Sequence, residues 1–307
     1  MTTNIRGLNI GGFHGIATSV LIVRTTLGKW NNTVQDRRLK NKIAEVVGAD
    51  ANHLSAGKKL LLSPVVRELS RLHGQFTNQI IRKKTLPFKP GEHLIRNVVT
   101  SEFEAAWDAK KDVWDEKLPE LRREYNDYIE QDRVLLGDGF DINDYPPVDE
   151  VIECYKAEYE YDFLPVANEN LAAMLDLPKA KIAKIEAAAE KRVTGKIDNA
   201  MKVVHDRVLV ALGDLIAGLE RHGLKADGAQ RASKFSENNI AKLKEITEIL
   251  PALNLTGDPA LTQAANDLAE KLGDIGTAEE LRKDDSKRMA TAEKAKTIVS
   301  KLAGFYD

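Results

Sequence analysis

The chain has 307 residues, 43% of them hydrophobic, with a net charge of −2, enough to bury the core of one large or two ordinary domains. Its one cysteine, Cys154, excludes an internal disulfide framework and suits a reducing cytosol, and no apolar run reaches the ~20 residues of a membrane span. The near-neutral total hides a segregation: residues 1–96 carry 16 Lys+Arg against 5 Asp+Glu, and residues 97–176 carry 7 against 22.

Residues 1–18 hold four glycines without a stable period and read as a flexible arm; no basic n-region or cleavage site marks a secretory signal. Val20–Leu27 is a β-branched run that predicts a strand. A helix is expected from about Asn31 to Val47, ended by Gly48, with Leu39, Ile43 and Val46 or Val47 on one face. Arg37, Arg38, Lys40 and Lys42 crowd its other face. The following GADANHLSAGKK is no phosphate-binding loop, because Asn52 and Lys59 stand where glycine and a hydroxyl are needed.

Ser63 and Pro64 predict a helix start, and the helix runs to about Ile81. It leads into Arg82, Lys83 and Lys84 and the turn TLPFKPG, which adds Phe88 and Lys89. Those cations complement the helix C-terminus, or they grip phosphates with Phe88 as a stacking ring. A capping box at Ser101 and Glu104 predicts a helix to about Leu136 with an aromatic stripe, which Pro119 should kink or split. Its outward face is acidic: Asp108, Asp112, Asp115, Glu116, Glu120 and Glu124.

Asp138 to Asp144 lie in a loop whose spacing does not match a calcium site. Val148 to Cys154 reads as a short helical turn, and the acidic neighbours of Cys154 disfavour a thiolate, so a buried structural cysteine is expected. Tyr155 to Phe163, YKAEYEYDF, alternates aromatic and charged residues with the period of a half-buried strand. It is expected to pair with Val20–Leu27 and to act as the joint between the two halves of the chain.

Beyond Pro178 a seam from Ile182 through Val193, Val204 and Leu212 to Leu219 predicts one helix from about Lys179 to His222, capped by Gly223. After the KADGAQRAS linker come a helix from Ser236 to Pro251 and one from Asp258. A last helix opens at the Thr277–Glu280 box. The expected fold is mainly α, with a small two-stranded β element in an N-terminal α+β region followed by a long coiled-coil-like helical hairpin or bundle. The expected domains are an arm at 1–18, a charge-segregated α+β domain at 19–167 and a helical domain at 177–307.

No His pair has metal-ligand spacing, and there is no nucleophile elbow, HExxH or paired carboxylate in an apolar setting. No cofactor, metal or catalytic residue is expected. Residues KKLLLSP, TLPF, the Leu135–Pro146 turn, Tyr155–Phe163 leading into LPV, LPALNLTGDPAL and ELRKD together resemble a family of phage and prophage proteins of uncharacterised function. That family commonly has tryptophan where this chain has Phe88. The resemblance implies a phage setting, often near DNA-metabolism genes and a MoxR-like AAA ATPase with its von Willebrand-type partner. It carries over no catalytic residue.

Two functions remain open. In one, the chain is a non-enzymatic protein–protein or self-assembling module in the (host) cytoplasm, a homo-oligomer partnered by itself, an AAA ATPase or a host factor, with no membrane role. In the other, Arg37, Arg38, Lys40, Lys42, Lys58, Lys59, Arg82, Lys83, Lys84 and Lys89 form a nucleic-acid or other polyanion surface for phage DNA metabolism.

Overall fold

The computed structural model describes residues 19–164, 178–222 and 235–303. The expected arm, the Gly223 cap and the KADGAQRAS linker lie outside the described residues. Helices dominate the fold. Strands β1 (Val20–Gly28), β4 (Leu86–Lys89), β5 (Glu92–Arg96) and β6 (Lys156–Phe163) form one antiparallel sheet in the order β4–β5–β1–β6. The expected neighbours β1 and β6 are there, but the two-stranded expectation is corrected to four strands. The TLPFKPG stretch and the residues after it supply the other two: β4 and β5 form a hairpin with Leu86 opposite Leu94 and an irregularity between Pro87 and Lys89. Gly91, at φ 74°, makes its turn. A second, two-stranded ribbon pairs β2 (Thr33–Gln35) with β3 (Gly57–Lys59).

The described chain forms two compact units. One comprises residues 24–82 and 101–160, the other residues 83–100 and 161–303 with the start of β1. The division passes through β1 after Val23 and through β6 after Glu160.

In the first unit, α1 (Arg37–Val47) sits between the two ribbon strands, so the expected helix start at Asn31 is corrected to Arg37. Helix α2 (Pro64–Gln75) starts on Ser63, whose Oγ accepts from Val66 N at 3.2 Å, and continues through a π-helical turn at Phe76–Ile81. Helix α3 (Thr100–Leu136) is one element of 37 residues, with Pro119 inside it. It begins at Thr100, so Ser101, expected as its cap, lies inside the helix, and the Thr100 Oγ1 donates to Asn97 O at 2.8 Å. Helix α4 (Val148–Glu153) delivers the chain into β6.

The predicted aromatic stripe of α3 is core. Trp107 meets Phe76 at 4.6 Å and Tyr159 at 5.3 Å between ring centroids, and Trp114 meets Tyr155 at 5.7 Å. Alternation on β6 thus sends Tyr155, Ala157 and Tyr159 towards α3 while Lys156, Glu158 and Glu160 face water. Each fully buried large side chain of this kind contributes on the order of 1.5–3 kcal/mol.

The second unit is a helical bundle of α5 (Lys179–Glu220), α6 (Glu237–Leu253), α7 (Pro259–Leu272), α8 (Ala278–Lys283) and α9 (Asp285–Ala303). Helix α5 packs along α6 and α9, and α7 packs against both of those. The predicted seam is buried from Val193 to Leu219, where Val204, Val208, Leu212, Leu215 and Leu219 meet Leu243, Leu250, Leu268 and Leu302, whereas Ile185 near its start is 50% exposed. Leu86 and Leu94 of the hairpin join this core. Asp258 and Thr277 cap α7 and α8 as expected, accepting from Ala260 N at 2.7 Å and Glu280 N at 3.2 Å. Two expectations are corrected: Pro251 lies within α6 rather than ending it, and the last helix is two, broken at the extended residue Asp284.

Candidate interaction surface

Helix α1 is short and strongly defined at both ends. The Asp36 carboxylate accepts from Leu39 N at 3.0 Å, and Gly48 at φ 67° closes the helix in the left-handed region. That backbone bond from Leu39 holds the Asp36 carboxyl below its ordinary range, and the Lys58 charge adds to the effect. The ribbon clamps the base of the helix: Asp36 N donates to Ala56 O at 3.0 Å and Leu60 N donates to Asn32 O at 2.8 Å. Only Ala44 of the helix is buried. Its apolar stripe faces water, with Leu39 40%, Val46 85% and Val47 61% exposed. Arg37, Arg38 and Lys42 are exposed beside it and Lys40 is half-buried, and none forms an ion pair among the described residues.

Lys58, on β3, behaves differently from its neighbours. Its ammonium is almost buried; it donates to Gly139 O at 2.6 Å, pairs with Asp144, and lies 3.8 Å from Asp36. One lysine thus fastens the start of α1 to the loop that follows α3. Lys59, one residue on, points to water without an ion pair among the described residues.

That loop is a defined acidic corner. Asp132, buried near the end of α3, accepts from Leu61 N at 2.6 Å and from the Tyr145 hydroxyl at 2.9 Å. Leu61 has φ 47°, a strained conformation for leucine that the Asp132 contact holds in place. Burial and the Asp132 carboxylate push the Tyr145 phenol well up from its ordinary pKa. Phe140 stacks on Tyr145 at 5.4 Å, with the Arg133 guanidinium 4.4 Å from its ring centre. Asp141 accepts from Asn143 N at 3.0 Å; that bond first, then Lys58 and Arg38, keeps its carboxyl below the usual range. The corner also exposes Val134, Leu135 and Ile142, the first two 81% and 76% open.

The remaining basic residues lie elsewhere. Arg82 ends the π-helical stretch of the first unit and already has an interaction. In the second unit Lys83 stands 3.6 Å from Glu245, Lys84 is likewise engaged, and Lys89 pairs with Glu92 at 3.0 Å. Phe88 packs against the bundle core, with Lys89 and Lys196 at 5.2 and 4.7 Å from its ring centre. The structure therefore brings together Arg37, Arg38, Lys40, Lys42 and Lys58, while in the second unit Lys83 and Lys89 are spent on neighbouring carboxylates.

Composition pointed to the cations of α1 but not to the apolar residues beside them, which the helical period assigned to a core. The available signal was weak: Val46–Val47 abuts the helix-ending Gly48, and Val134–Leu135 lies one residue short of Gly137. Cys154 is exposed, correcting the buried expectation; it follows α4 and its thiol donates to Glu150 O at 3.3 Å. Among the described residues no group of His, Cys, Asp or Glu is arranged to hold a metal ion, and no helix is long and apolar enough to cross a membrane. No protein-family model, curated protein or solved structure matches this chain.

Proposed function

We propose that the chain acts as a self-associating protein-interaction module without enzymatic activity, working through α1. The observation that carries this reading is the open apolar stripe Leu39–Ile43–Val46–Val47 on a helix rigidly fixed by its caps and ribbon. Open apolar side chains clustered on one face and rimmed by charge favour a protein partner. A fixed helix also loses little entropy on docking. The long α5 helix, taken as a coiled-coil-like arm, and an AAA ATPase as a further partner belong to the same reading; the repeated apolar seam of α5 supports the first and the phage-family resemblance the second. Light scattering over a concentration series tests it. The mass is expected to rise above 34.1 kDa with concentration, and a mass fixed at one chain rejects self-association.

Nucleic-acid binding is the second reading, favoured by the unpaired cations Arg37, Arg38 and Lys42. It ranks lower because Phe88 and its lysines, which would supply stacking, are packed or paired. A titration with single- and double-stranded DNA at low salt tests it: flat curves reject it, and binding that falls steeply with salt supports it.

A further inference from the structure

We infer that α1 of one copy docks on the acidic 134–144 corner of a second copy, and reciprocally, closing a two-fold dimer. This rests on the self-association reading and names its counter-surface.

Both halves of the surface belong to one unit and are tied together by Lys58, which reaches Gly139 O at 2.6 Å and pairs with Asp144 while standing 3.8 Å from Asp36. The α1 half carries the exposed cations Arg37, Arg38 and Lys42 on the same short helix as the exposed Leu39, Ile43 and Val46. The corner half carries Asp138 and Asp141 with the exposed Val134, Leu135 and Ile142, and Glu130, one helical turn before Val134, is paired with Arg133. A surface with a basic apolar half beside an acidic apolar half is complementary to itself after a rotation of 180°, as an isologous interface requires. Contact between two α1 helices would instead set cations against cations, which costs affinity. The charge pattern thus selects the corner as the occupant of α1. The positive groups at the corner are already engaged, Arg133 with Glu130 at 3.0 Å and the Phe140 ring and Lys58 with Gly139 O and Asp144, so neither opposes the approach.

A charge swap tests the inference. Variant one is Arg37→Glu with Lys42→Glu, variant two is Glu130→Lys with Asp138→Lys, and variant three combines all four changes. These side chains are exposed, and circular dichroism verifies that each variant folds. Sedimentation equilibrium of the full chain at low salt should give a dimer for the parent and for variant three. Variants one and two should each dimerise at least about tenfold more weakly, and an equimolar mixture of the two should recover the dimer. A parent dimer that neither variant weakens, or that neither the mixture nor variant three restores, overturns the docking surface and leaves self-association standing. A parent that grows beyond a dimer overturns the two-fold closure. A parent that stays monomeric at every concentration overturns the self-association reading itself, and DNA binding lost in variant one would then assign α1 to nucleic acid.

Discussion

Two buried polar atoms in the first unit make opposite predictions, because one has its partners and the other has none. Asp132 satisfies the Leu61 N–H and the Tyr145 hydroxyl, both in buried surroundings. Asp132→Ala strands those donors and releases a leucine held at φ 47°. The expected loss is about 1–3 kcal/mol in urea unfolding, the usual cost of an orphaned buried donor. A loss below roughly 0.5 kcal/mol would show that the strained Leu61 relaxes on its own. Tyr155 is the reverse case. It is 5% exposed, its ring packs on Trp114, and its hydroxyl has no hydrogen-bond partner among the described residues. Tyr155→Phe keeps the ring and removes a desolvated polar group, so stability should hold or rise by up to about 1 kcal/mol. A drop in the urea midpoint would mean that the hydroxyl is bonded in solution.

At the scale of elements, Asp267 ties α7 to α9. Its carboxylate lies 2.8 Å from Lys301 of α9 and 3.0 Å from Lys271 on its own helix. The bond from Lys301 is the main reason its pKa falls below the ordinary 3.8, with burial acting against it. A carboxyl whose pKa is lower folded than unfolded stabilises the fold above the unfolded value. That contribution is lost as pH falls through the folded value. Between about pH 5 and pH 2 the parent should therefore lose more stability than Asp267→Asn does. Urea midpoints across that window measure it, and parallel slopes would mean that the α7–α9 tie is not electrostatic.

What the sequence made legible follows the same scale. Helices α3 and α5 are 37 and 42 residues long, so their periods repeat many times and survive Pro119 and scattered polar residues. Strand β6 repeats its alternation over eight residues of sequence, although Phe163, expected on the buried face, is 77% exposed at the strand's end. Strands β2 and β3 have three residues each, too few for any period to register. The β4–β5 hairpin is masked by Pro87, Pro90 and Gly91, which read as a turn and do in fact supply one. Lys58 was visible as one charge among many. Its role was not, because Gly139 is 81 residues away and only the folded chain brings the two together. The stripe of α1 shows the limit of periodicity: the pattern identifies an amphipathic face but not whether that face turns to a core or to water.

At the scale of the whole molecule, segregated charge would make the proposed association responsive to salt. The total of −2 is too small to drive copies apart or together, so in the proposed dimer the local pairing of Arg37, Arg38 and Lys42 with Asp138 and Asp141 would govern the approach. Those charges lie at the surface, where screening acts: the Debye length falls from about 14 Å to about 4 Å between roughly 0.05 and 0.5 M salt. The dimer constant should weaken progressively over that range, with the association rate carrying much of the change. An association that strengthens as salt is added would assign the contact to the apolar stripe alone, and charge would then lose its part in choosing the partner surface.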